Sequence, residues 1–384
     1  MGLKRLAAGC TAIALAATLG GAAAQDDTIK IGLLIPLTGS SAAAGREISD
    51  AAKLYVAQHG DTVAGKKIAL IVRDDAGAAD NAKKIAADLI ANDKVSVLAV
   101  GLAASAIAPA ATAAKIVTVV MAAGPSNVLA GAPYSVGTAV AAGREAGVIA
   151  EWAIKTGARK AVLIVADAPA TAAGEAFAAQ FAKGGGQILD TLKVPSANAD
   201  FAPTVQRARE LSPDAVFIDV APAQTAALAR QFGGLDQAGI KLIGPGDIID
   251  DDELATTGDA LVGVVTAGVY SATHPSQLNK DYVAAYRKAS GHRANFASVA
   301  AYDAMTMIYT ALQKTGGNAD ADALITAIKG LHWQSPRGPV AVVPATRELT
   351  QNVYVRKIVK VEGEPWAIEI KTFPPEPRSE AAAK

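Results

Sequence analysis

The sequence contains little cysteine, histidine or aromatic side chain, and each shortage excludes a class of site. The single cysteine, Cys10, lies in an apolar segment near the N-terminus, so the rest of the chain has no disulfide framework and no thiol chemistry. The four histidines are far apart with no i, i+4 pair, a spacing that argues against a zinc site. Basic and acidic residues balance at 36 each, which argues against nucleic acid or an anionic membrane surface as a partner.

Catalytic and cofactor motifs are also missing. The segment 60–67 (GDTVAGKK) resembles a phosphate-binding loop, but Lys67 stands where Ser or Thr is required, and the segment precedes a predicted strand instead of following one. No G-x-S-x-G occurs, and the acidic run 250–253 is more typical of a helix start than of a cation site. The sequence therefore predicts a protein that is not an enzyme and that holds no cofactor or metal.

Residues 1–24 predict a signal peptide. Lys4 and Arg5 precede an apolar segment, and the alanines at 22–24 form an A-x-A cleavage site. A membrane span is the alternative, which the shortness and the alanine and glycine content of the segment disfavour. Cleavage after Ala24 leaves about 360 residues, enough for two domains, with 34 basic against 36 acidic side chains. We expect an exported, periplasmic protein.

The mature chain opens with the stretch around which the fold is expected to form, TIKIGLLIPLTGSSAAAG at 28–45. Its apolar first half predicts a strand buried on both faces of a parallel sheet. Pro36 ends the strand, a small polar turn follows, and a helix begins at Ala42. This order presents backbone N–H groups and a positive helix end to an anion. Arg46 opposes the dipole of that helix, which is a modest indication of an anionic partner.

Alternating strands and helices continue along the chain and predict an α/β fold. The first series has strands at 67–74, 95–101 and 116–122 and helices at 78–92 and 105–114. The second series has helices at 142–155, 170–183, 201–211 and 224–235 and strands at 160–166, 187–192, 215–220, 240–243 and 261–267. Three successive helices follow at 275–290, 294–315 and 321–330, and then strands at 338–343, 353–361 and 366–370.

This pattern predicts two doubly wound parallel-sheet lobes. We assign 28–138 plus 269–337 to the first lobe, 139–268 plus 338–372 to the second, and 373–384 to a disordered tail. Three hinge crossovers are expected near Thr138, Gly268 and Arg337, with a binding cleft at the strand ends.

Several motifs in order resemble one family. They are the signal, the opening at 28–45, Asp74-Asp75 after the second strand, AAYDA at 300–304 and SPRG at 335–338. Together they resemble the leucine/isoleucine/valine-binding family of type I periplasmic binding proteins, over nearly the whole mature chain. The resemblance implies the two-lobe fold, a small-molecule carboxylate as ligand, the membrane permease of an ABC importer as partner, and a monomer that closes about its hinge when it binds.

The resemblance also places the ligand site at the turns that follow the strands. Ser105 keeps the hydroxyl that the family offers to a ligand carboxylate, Gly124 stands at the place of a threonine, and Thr171 replaces an aromatic residue. The acidic partner of a ligand amino group falls on Gly246 or on Asp247. The predicted ligand-binding residues are Ser105, Ala103, Ala104, Ala122, Gly124, Ser126, Thr171, Asp247, Phe296 and Arg46.

Alternatives remain for these residues and for the function. Ser105 and Ser126 also fit helix caps, and Phe296 and Tyr302 also fit core packing, although either ring would serve as a stacking wall. The weakened amino-group site, and GPS at 124–126, favour an aromatic or other apolar carboxylic acid over leucine. The alternatives are a branched-chain amino acid, a nicotinamide-dependent enzyme, which would need a glycine fingerprint after the first strand, and a sugar-responsive repressor core, which would need a DNA-reading helix pair.

Overall fold

The computed structural model describes residues 28–121, 126–139, 142–167, 172–195, 200–233 and 239–375. The strands are β1 (Thr28–Ile35), β2 (Thr62–Val63), β3 (Lys66–Asp74), β4 (Val97–Val100), β5 (Val117–Val120), β6 (Ser135–Gly137), β7 (Lys160–Ala166), β8 (Gln187–Val194), β9 (Ala215–Asp219), β10 (Lys241–Pro245), β11 (Val265–Gly268), β12 (His332–Ser335), β13 (Gly338–Val342), β14 (Leu349–Gln351), β15 (Val353–Val361) and β16 (Glu364–Phe373). The helices are α1 (Ala42–His59), α2 (Ala79–Ala91), α3 (Ala104–Ala113), α4 (Ser126–Ala130), α5 (Ala142–Lys155), α6 (Ala172–Lys183), α7 (Ala202–Glu210), α8 (Pro222–Phe232), α9 (Leu254–Thr257), α10 (Gln277–Ser290), α11 (Phe296–Lys314) and α12 (Ala321–Ile328).

The first sheet is built around β1. Its strand order is β2-β3-β1-β4-β5-β6, and every pair except β2–β3 is parallel. Along β1, Ile31, Leu33 and Ile35 join one core cluster, whereas Leu34 joins the cluster on the opposite face. The nearly continuous apolar run of β1 is thus explained by burial on both faces, as in a central parallel strand.

Helix α1 starts directly over the end of β1. A Cβ at Gly45 would lie 1.7 Å from the carbonyl oxygen of Pro36, so only glycine permits this approach. The carboxylate of Asp74, at the end of β3, accepts hydrogen bonds from the N–H of Leu37 at 2.8 Å and from the hydroxyl of Thr38 at 2.7 Å. The small-residue turn is therefore held between its own helix and the neighbouring strand.

The second sheet has the order β16-β15-β11-β10-β9-β7-β8. Strands β7 to β11 pair in parallel, whereas β15 pairs antiparallel with β11 and β16. Along β7, Leu163 and Val165 pack with α5 and α6, and Val162 and Ile164 pack with α7 and α8. Helices on both faces of a parallel sheet confirm the predicted doubly wound α/β class.

The last part of the chain stays longer with the first lobe than predicted. Helices α10 and α11 pack on the first sheet, and β12, β13 and β14 form a small antiparallel sheet. Val340, Val342 and Leu349 of that small sheet belong to the core of the first lobe. The prediction placed all of 338–372 in the second lobe, but the chain enters the second sheet only with β15. Phe373, the first residue of the predicted tail, ends β16 instead.

A buried ion pair ties together two of the predicted crossovers. Arg337 and Asp303 are both fully buried, and Nε of Arg337 donates to Oδ2 of Asp303 at 2.7 Å. The same guanidinium donates to the carbonyl oxygen of Thr138 at 2.8 Å. Trp333 and Ser335 donate to the Asp303 carboxylate at 2.8 and 2.9 Å. The carboxylate is thus satisfied by three neighbours, as a buried charge requires.

Candidate functional site

A cavity of about 120 Å³ lies between the two lobes. Helix α1 and the start of α11 line it from the first lobe, and the start of α5, the turn after β10 and strand β15 line it from the second. Phe296, at the first position of α11, packs against the cores of both lobes, so its ring stands between them. The charged residues that line this interlobe cavity are Glu47, Glu145, Asp247, Asp250, Asp251 and Arg356.

The loop before α11 connects the lobes beside the cavity. His292 Nδ1 lies 2.8 Å from a carboxylate oxygen of Asp252, and the N–H of Arg293 donates to the other oxygen at 2.8 Å. The Arg293 guanidinium lies 3.8 Å from the centre of the Trp366 ring and donates to the carbonyl oxygen of Pro365 at 2.9 Å. These contacts join the first lobe to the turn after β10 and to β16.

Arg356 is the basic residue among those that line this cavity, and its two terminal nitrogens donate hydrogen bonds to protein groups. The side chain is only 3% exposed. It donates to the carbonyl oxygens of Tyr270 and Gly246 and to the hydroxyl of Thr266, and it lies 3.5 Å from the Asp251 carboxylate. A guanidinium held in this way braces the floor of the cavity and has little capacity left to bind a ligand carboxylate.

Two glycines let the backbone pass close beneath Arg356. A Cβ at Gly246 would lie 2.7 Å from the Cα of Gly268, and a Cβ at Gly268 would lie 2.7 Å from Nη2 of Arg356. Neither glycine has space for a side chain, because separations below 3 Å force an atom to move. Gly246 is therefore a packing position, and the acidic side chain at this turn is Asp247, which lines the cavity.

Glu145 and Asp247 form a pair of carboxyl groups at the floor. Glu145, near the start of α5, is buried and accepts a hydrogen bond from the N–H of Gly246 at 2.9 Å. Burial, with repulsion from Asp247 as a smaller cause, raises the pKa of Glu145 to about 8. The Asp247 side chain is exposed to the cleft, but protein atoms surround it closely. The resulting desolvation is the main cause that raises its pKa to about 6, and repulsion from Asp219 is a smaller cause. At neutral pH the pair thus holds one proton and one negative charge.

Glu47 and Asp251 extend this acidic lining. Burial is the main cause that raises the pKa of Glu47 to about 8, and repulsion from Asp250 adds to it, whereas a hydrogen bond from Asn295 opposes it. Burial also raises the pKa of Asp251 to about 6, and attraction to Arg356 opposes that rise. The cavity is thus rich in carboxyl oxygens that accept hydrogen bonds. This lining disfavours an anionic group of a ligand placed beside it.

Only part of the predicted site comes together here. Asp247 and Phe296 line the interlobe cavity. Arg46 is exposed on α1 and is not among the lining residues, which from this helix are Ala44 and Glu47.

The turn after β4 lies elsewhere. Ser105 is exposed and lines a separate open groove between α3 and α4, together with Pro109, Val128 and Gly131. Ala103 immediately precedes α3, and Ala104 is the first residue of that helix. Ser126 opens α4, and Ala122, Gly124 and Thr171 lie outside the described residues, as does the signal peptide. A ligand contact at these residues stays a prediction.

Tyr302 does not line the interlobe cavity. Its hydroxyl donates to the side-chain oxygen of Gln58 at 2.8 Å, and its ring packs against Tyr55 and Tyr282 at centroid distances of 4.9 and 4.8 Å. The structure therefore supports the core-packing alternative for Tyr302. The aromatic residues that do line the cavity are Phe296 and Tyr270.

Sequence reasoning missed Glu47, Glu145 and Arg356. Each had a signal: Arg356 follows the apolar run VYV within a strand, and the two glutamates lie in alanine-rich helices beside turns at strand ends. A charged residue inside an otherwise apolar strand is costly unless it is paired, so its presence indicates a partner. That partner is supplied by β10 and β11, which the sequence alone does not bring together with β15.

Other types of site were sought in the described part of the chain. No group of three or more His, Cys, Asp or Glu residues within it has an arrangement suited to a metal ion. None of its helices is both long enough and apolar enough to cross a membrane.

Comparison with known proteins gives concordant matches. The family described as periplasmic binding protein matches residues 28–363. The Leu/Ile/Val-binding protein homolog 6 of Brucella abortus (strain 2308) is 34% identical over 369 residues, which cover 93% of this chain and 94% of that protein.

Two solved structures are similar to the whole described fold. A solute binding protein of an ABC transporter from Rhodopseudomonas palustris BisB5, in complex with 3,4-dihydroxy benzoic acid, is 48% identical with a TM-score of 0.86, covering 91% of this chain and 98% of that one. A solute binding protein of an ABC transporter from Rhodopseudomonas palustris HaA2, in complex with p-hydroxybenzoic acid, is 33% identical with a TM-score of 0.84 and the same coverage.

Proposed function

The chain belongs to the periplasmic binding protein family, and from this premise we propose that it captures an aromatic carboxylic acid between its lobes for an ABC importer. The observation that carries the proposal is the position of Phe296, whose ring stands between the two cores at the edge of a cavity with an acidic floor. An aromatic ligand gains stacking against such a ring in addition to burial of its own apolar surface. The benzoate-type ligands of the two similar structures support this ligand class.

The charge distribution gives the ligand a direction. Because carboxyl groups line the floor and Arg356 is engaged there, the ligand carboxylate is expected to point away from the second lobe. The first lobe offers the N-terminus of α3, where Ala103 provides no side-chain cap for the free N–H groups of the first turn. Ser105 and the amides of Ala103 and Ala104 lie outside the interlobe cavity in this structure, so we propose them as carboxylate contacts that reach the ligand when the lobes close.

A branched-chain amino acid is the second candidate, and a specific observation favours it. The curated relative from Brucella abortus is called a Leu/Ile/Val-binding protein homolog, and Asp247 supplies a carboxylate to face an ammonium group. An amino acid carries its ammonium and carboxylate on one carbon, however. No described residue of the turns after β4 and β5 lines the interlobe cavity. In this structure the described residues of those turns therefore offer no carboxylate contact beside Asp247, where an amino acid would need one.

A thermal-shift panel separates the two candidates. Benzoate, 4-hydroxybenzoate and 3,4-dihydroxybenzoate are compared with leucine, isoleucine and valine, each in large excess. A ligand present at one hundred times its dissociation constant adds about 2.7 kcal/mol to the free energy of unfolding, which is visible as a higher melting temperature. We expect shifts with the aromatic acids. A shift with leucine or valine and none with the aromatic acids would establish the second candidate instead.

We further propose that ligand binding closes the lobes about the crossovers near Thr138, Gly268 and Arg337. Closure buries the ring and lets the permease distinguish loaded from empty protein. Small-angle scattering with and without saturating 3,4-dihydroxybenzoate measures the change, and we expect a smaller radius of gyration with ligand. An unchanged radius with calorimetrically confirmed binding would refute closure.

The cellular setting is part of the same proposal. We propose that the protein works in the periplasm as a monomer, without catalysis, after removal of residues 1–24. N-terminal sequencing of the protein from a periplasmic extract tests export directly. A mature chain that begins at Met1 would contradict it.

A further inference from the structure

A loop of the first lobe, residues 292–295, is held by the second lobe directly before Phe296. The loop joins α10 to α11, and both helices pack on the first sheet. Its partners are Asp250 and Asp252, in the turn between β10 and β11 of the second sheet, and residues 364–366 at the start of β16. We call the contacts among these segments the interlobe clasp. Because none of these segments passes from one lobe to the other, the clasp connects the lobes in addition to the crossovers of the chain.

Asp252 holds the loop through its backbone and through a side chain. One oxygen of its carboxylate accepts a hydrogen bond from the N–H of Arg293 at 2.8 Å, and the other lies 2.8 Å from Nδ1 of His292. Hydrogen bonds to a charged acceptor are stronger than those between neutral groups. This one carboxylate therefore fixes the backbone of the loop against the second lobe.

The Arg293 side chain forms the other half of the clasp. It is only 6% exposed, although its partners all belong to the opposite lobe. The guanidinium lies 3.8 Å from the centre of the Trp366 ring, donates to the carbonyl oxygen of Pro365 at 2.9 Å and pairs with the carboxylate of Glu364. A buried guanidinium needs such partners, so moving the loop away from β16 would leave its charge without compensation.

The clasp leads directly into the wall of the cavity. Oδ1 of Asn295 accepts from the N–H of Ser298 at 3.0 Å and thereby caps α11, while the amide nitrogen of the same side chain lies 3.2 Å from the Asp250 carboxylate. Asn295 and Asp250 both line the interlobe cavity, and Phe296 is the next residue of that wall. The position of the Phe296 ring is therefore tied to the second lobe through the residue that precedes it.

Resting on the proposed function, we propose that Asp252 and Arg293 are positioning residues for ligand binding: the interlobe clasp sets the ring of Phe296 at the cavity before a ligand arrives. Binding is then not weakened by the cost of bringing this ring and the second lobe together. Closure brings the turn after β4 to a wall that is already assembled. Asp252 and Arg293 are not among the residues that line the cavity, so they act on the ligand through Phe296 and not by contact.

Titration calorimetry with 3,4-dihydroxybenzoate measures what the clasp contributes. We expect Asp252→Ala to weaken binding about tenfold, because a binding-competent fraction lowered to about one tenth raises Kd by the same factor. Asp252→Asn keeps an oxygen that accepts from the N–H of Arg293, so it should recover most of this loss. Asp259→Ala is the matched control in the same lobe, since Asp259 is an exposed partner of Lys360 outside the cavity, and it should leave Kd unchanged. An affinity of Asp252→Ala equal to or higher than that of the wild-type protein would overturn the proposal.

A double-mutant cycle tests whether the effect passes through Phe296. Leucine at this position removes the ring but keeps an apolar side chain between the two cores. In Phe296→Leu, adding Asp252→Ala should weaken binding by less than about threefold, because no ring is left to position and the two substitutions are coupled. A loss of about tenfold in both backgrounds would show that Asp252 supports the fold in general, and it would overturn the positioning role.

Hydrogen exchange on the ligand-free protein tests whether the clasp exists before a ligand arrives. Mass spectrometry of residues 292–298 should show slower exchange in the wild-type protein and in Asp259→Ala than in Asp252→Ala, because the amide of Arg293 loses its acceptor only in the last. Equal exchange in all three would overturn the presetting of the ring.

The outcomes distinguish this inference from the proposed function. Absence of binding of every aromatic acid by the wild-type protein, with binding of leucine, would refute the proposed function itself. Aromatic-acid binding that is unaffected by Asp252→Ala would overturn the clasp alone.

Discussion

Replacing Glu47 by glutamine is expected to remove a defined part of the pH dependence of folding stability. Glu47 is 6% exposed on α1, and burial together with repulsion from Asp250 across the cavity raises its pKa from 4.5 to about 8. A carboxyl whose pKa is higher in the folded protein stabilises it fully below about pH 4.5, and this contribution is lost as the pH rises through about 8. The wild-type protein should therefore lose stability more steeply than Glu47→Gln between pH 6 and pH 8.

The magnitude follows from proton linkage. With a pKa of about 8 in the folded chain and 4.5 in the unfolded chain, Glu47 contributes roughly 3 kcal/mol to the free energy of unfolding at pH 6 and less than about 1 kcal/mol at pH 8. The resulting difference of about 2 kcal/mol corresponds to about 4 °C in melting temperature for a large domain. Glutamine keeps an oxygen that accepts from Asn295 but carries no charge, so its stability lacks this contribution.

Thermal unfolding of both proteins across this pH range is the assay. The quantity compared is the change in melting temperature from pH 6 to pH 8, so that the other titrating carboxyl groups cancel. Glu210→Gln is the control, because Glu210 is exposed on α7 and accepts a hydrogen bond from Gln206. It should follow the wild-type curve. If Glu47→Gln also follows the wild-type curve, Glu47 is not held protonated by its surroundings, and the argument from burial is refuted.

Two further substitutions test the architecture that positions the site. Gly45→Ala places a Cβ 1.7 Å from the Pro36 carbonyl oxygen, so α1 must move away from the turn, and urea unfolding should show a loss of more than about 3 kcal/mol. Asp303→Ala leaves the buried Arg337 without its carboxylate and should lower the free energy of unfolding by about 3–5 kcal/mol in the same assay.

Matched controls make these losses interpretable. Gly147 lies in helix α5 with no heavy atom near the place of a Cβ, so Gly147→Ala should raise stability by about 0.5–1 kcal/mol. Lys115 and Asp322 form an exposed ion pair at 3.4 Å, so Lys115→Ala should leave the free energy of unfolding nearly unchanged. If Gly45→Ala has the same free energy of unfolding as Gly147→Ala, the close approach at Gly45 is contradicted. If Asp303→Ala loses no more stability than Lys115→Ala, the buried ion pair does not stabilise the fold as described.

The alternating order of strands and helices was predictable because the central strands are buried on both faces. Strands β1, β4 and β7 are short, nearly continuous apolar runs, and in each case successive residues enter different cores. Such a pattern needs no knowledge of distant contacts, since the helices that cover each face follow in the sequence. Sheet class and lobe number therefore followed from local information.

The small sheet of β12, β13 and β14 was not predictable in the same way. Strand β12 (HWQS) has two exposed polar residues among its four, and β14 has three residues, so neither has an apolar run to mark it. Both are strands because β13 lies between them, and the position of β13 depends on the return of the chain to the first lobe. The assignment of 338–352 to the second lobe failed for this reason.

The site shows the same division between local and distant information. In the sequence, the family resemblance indicated a weakened site for a ligand amino group, because glycine stands at position 246 where the family has an acidic residue. The structure explains that glycine by its approach to Gly268 beneath Arg356, and it supplies carboxyl groups from Asp247 and from Glu145 on a different helix. The acidic character of the floor is thus retained by other residues. Aromatic-acid binding is therefore better argued from the position of Phe296 between the two cores than from the loss of an acidic residue.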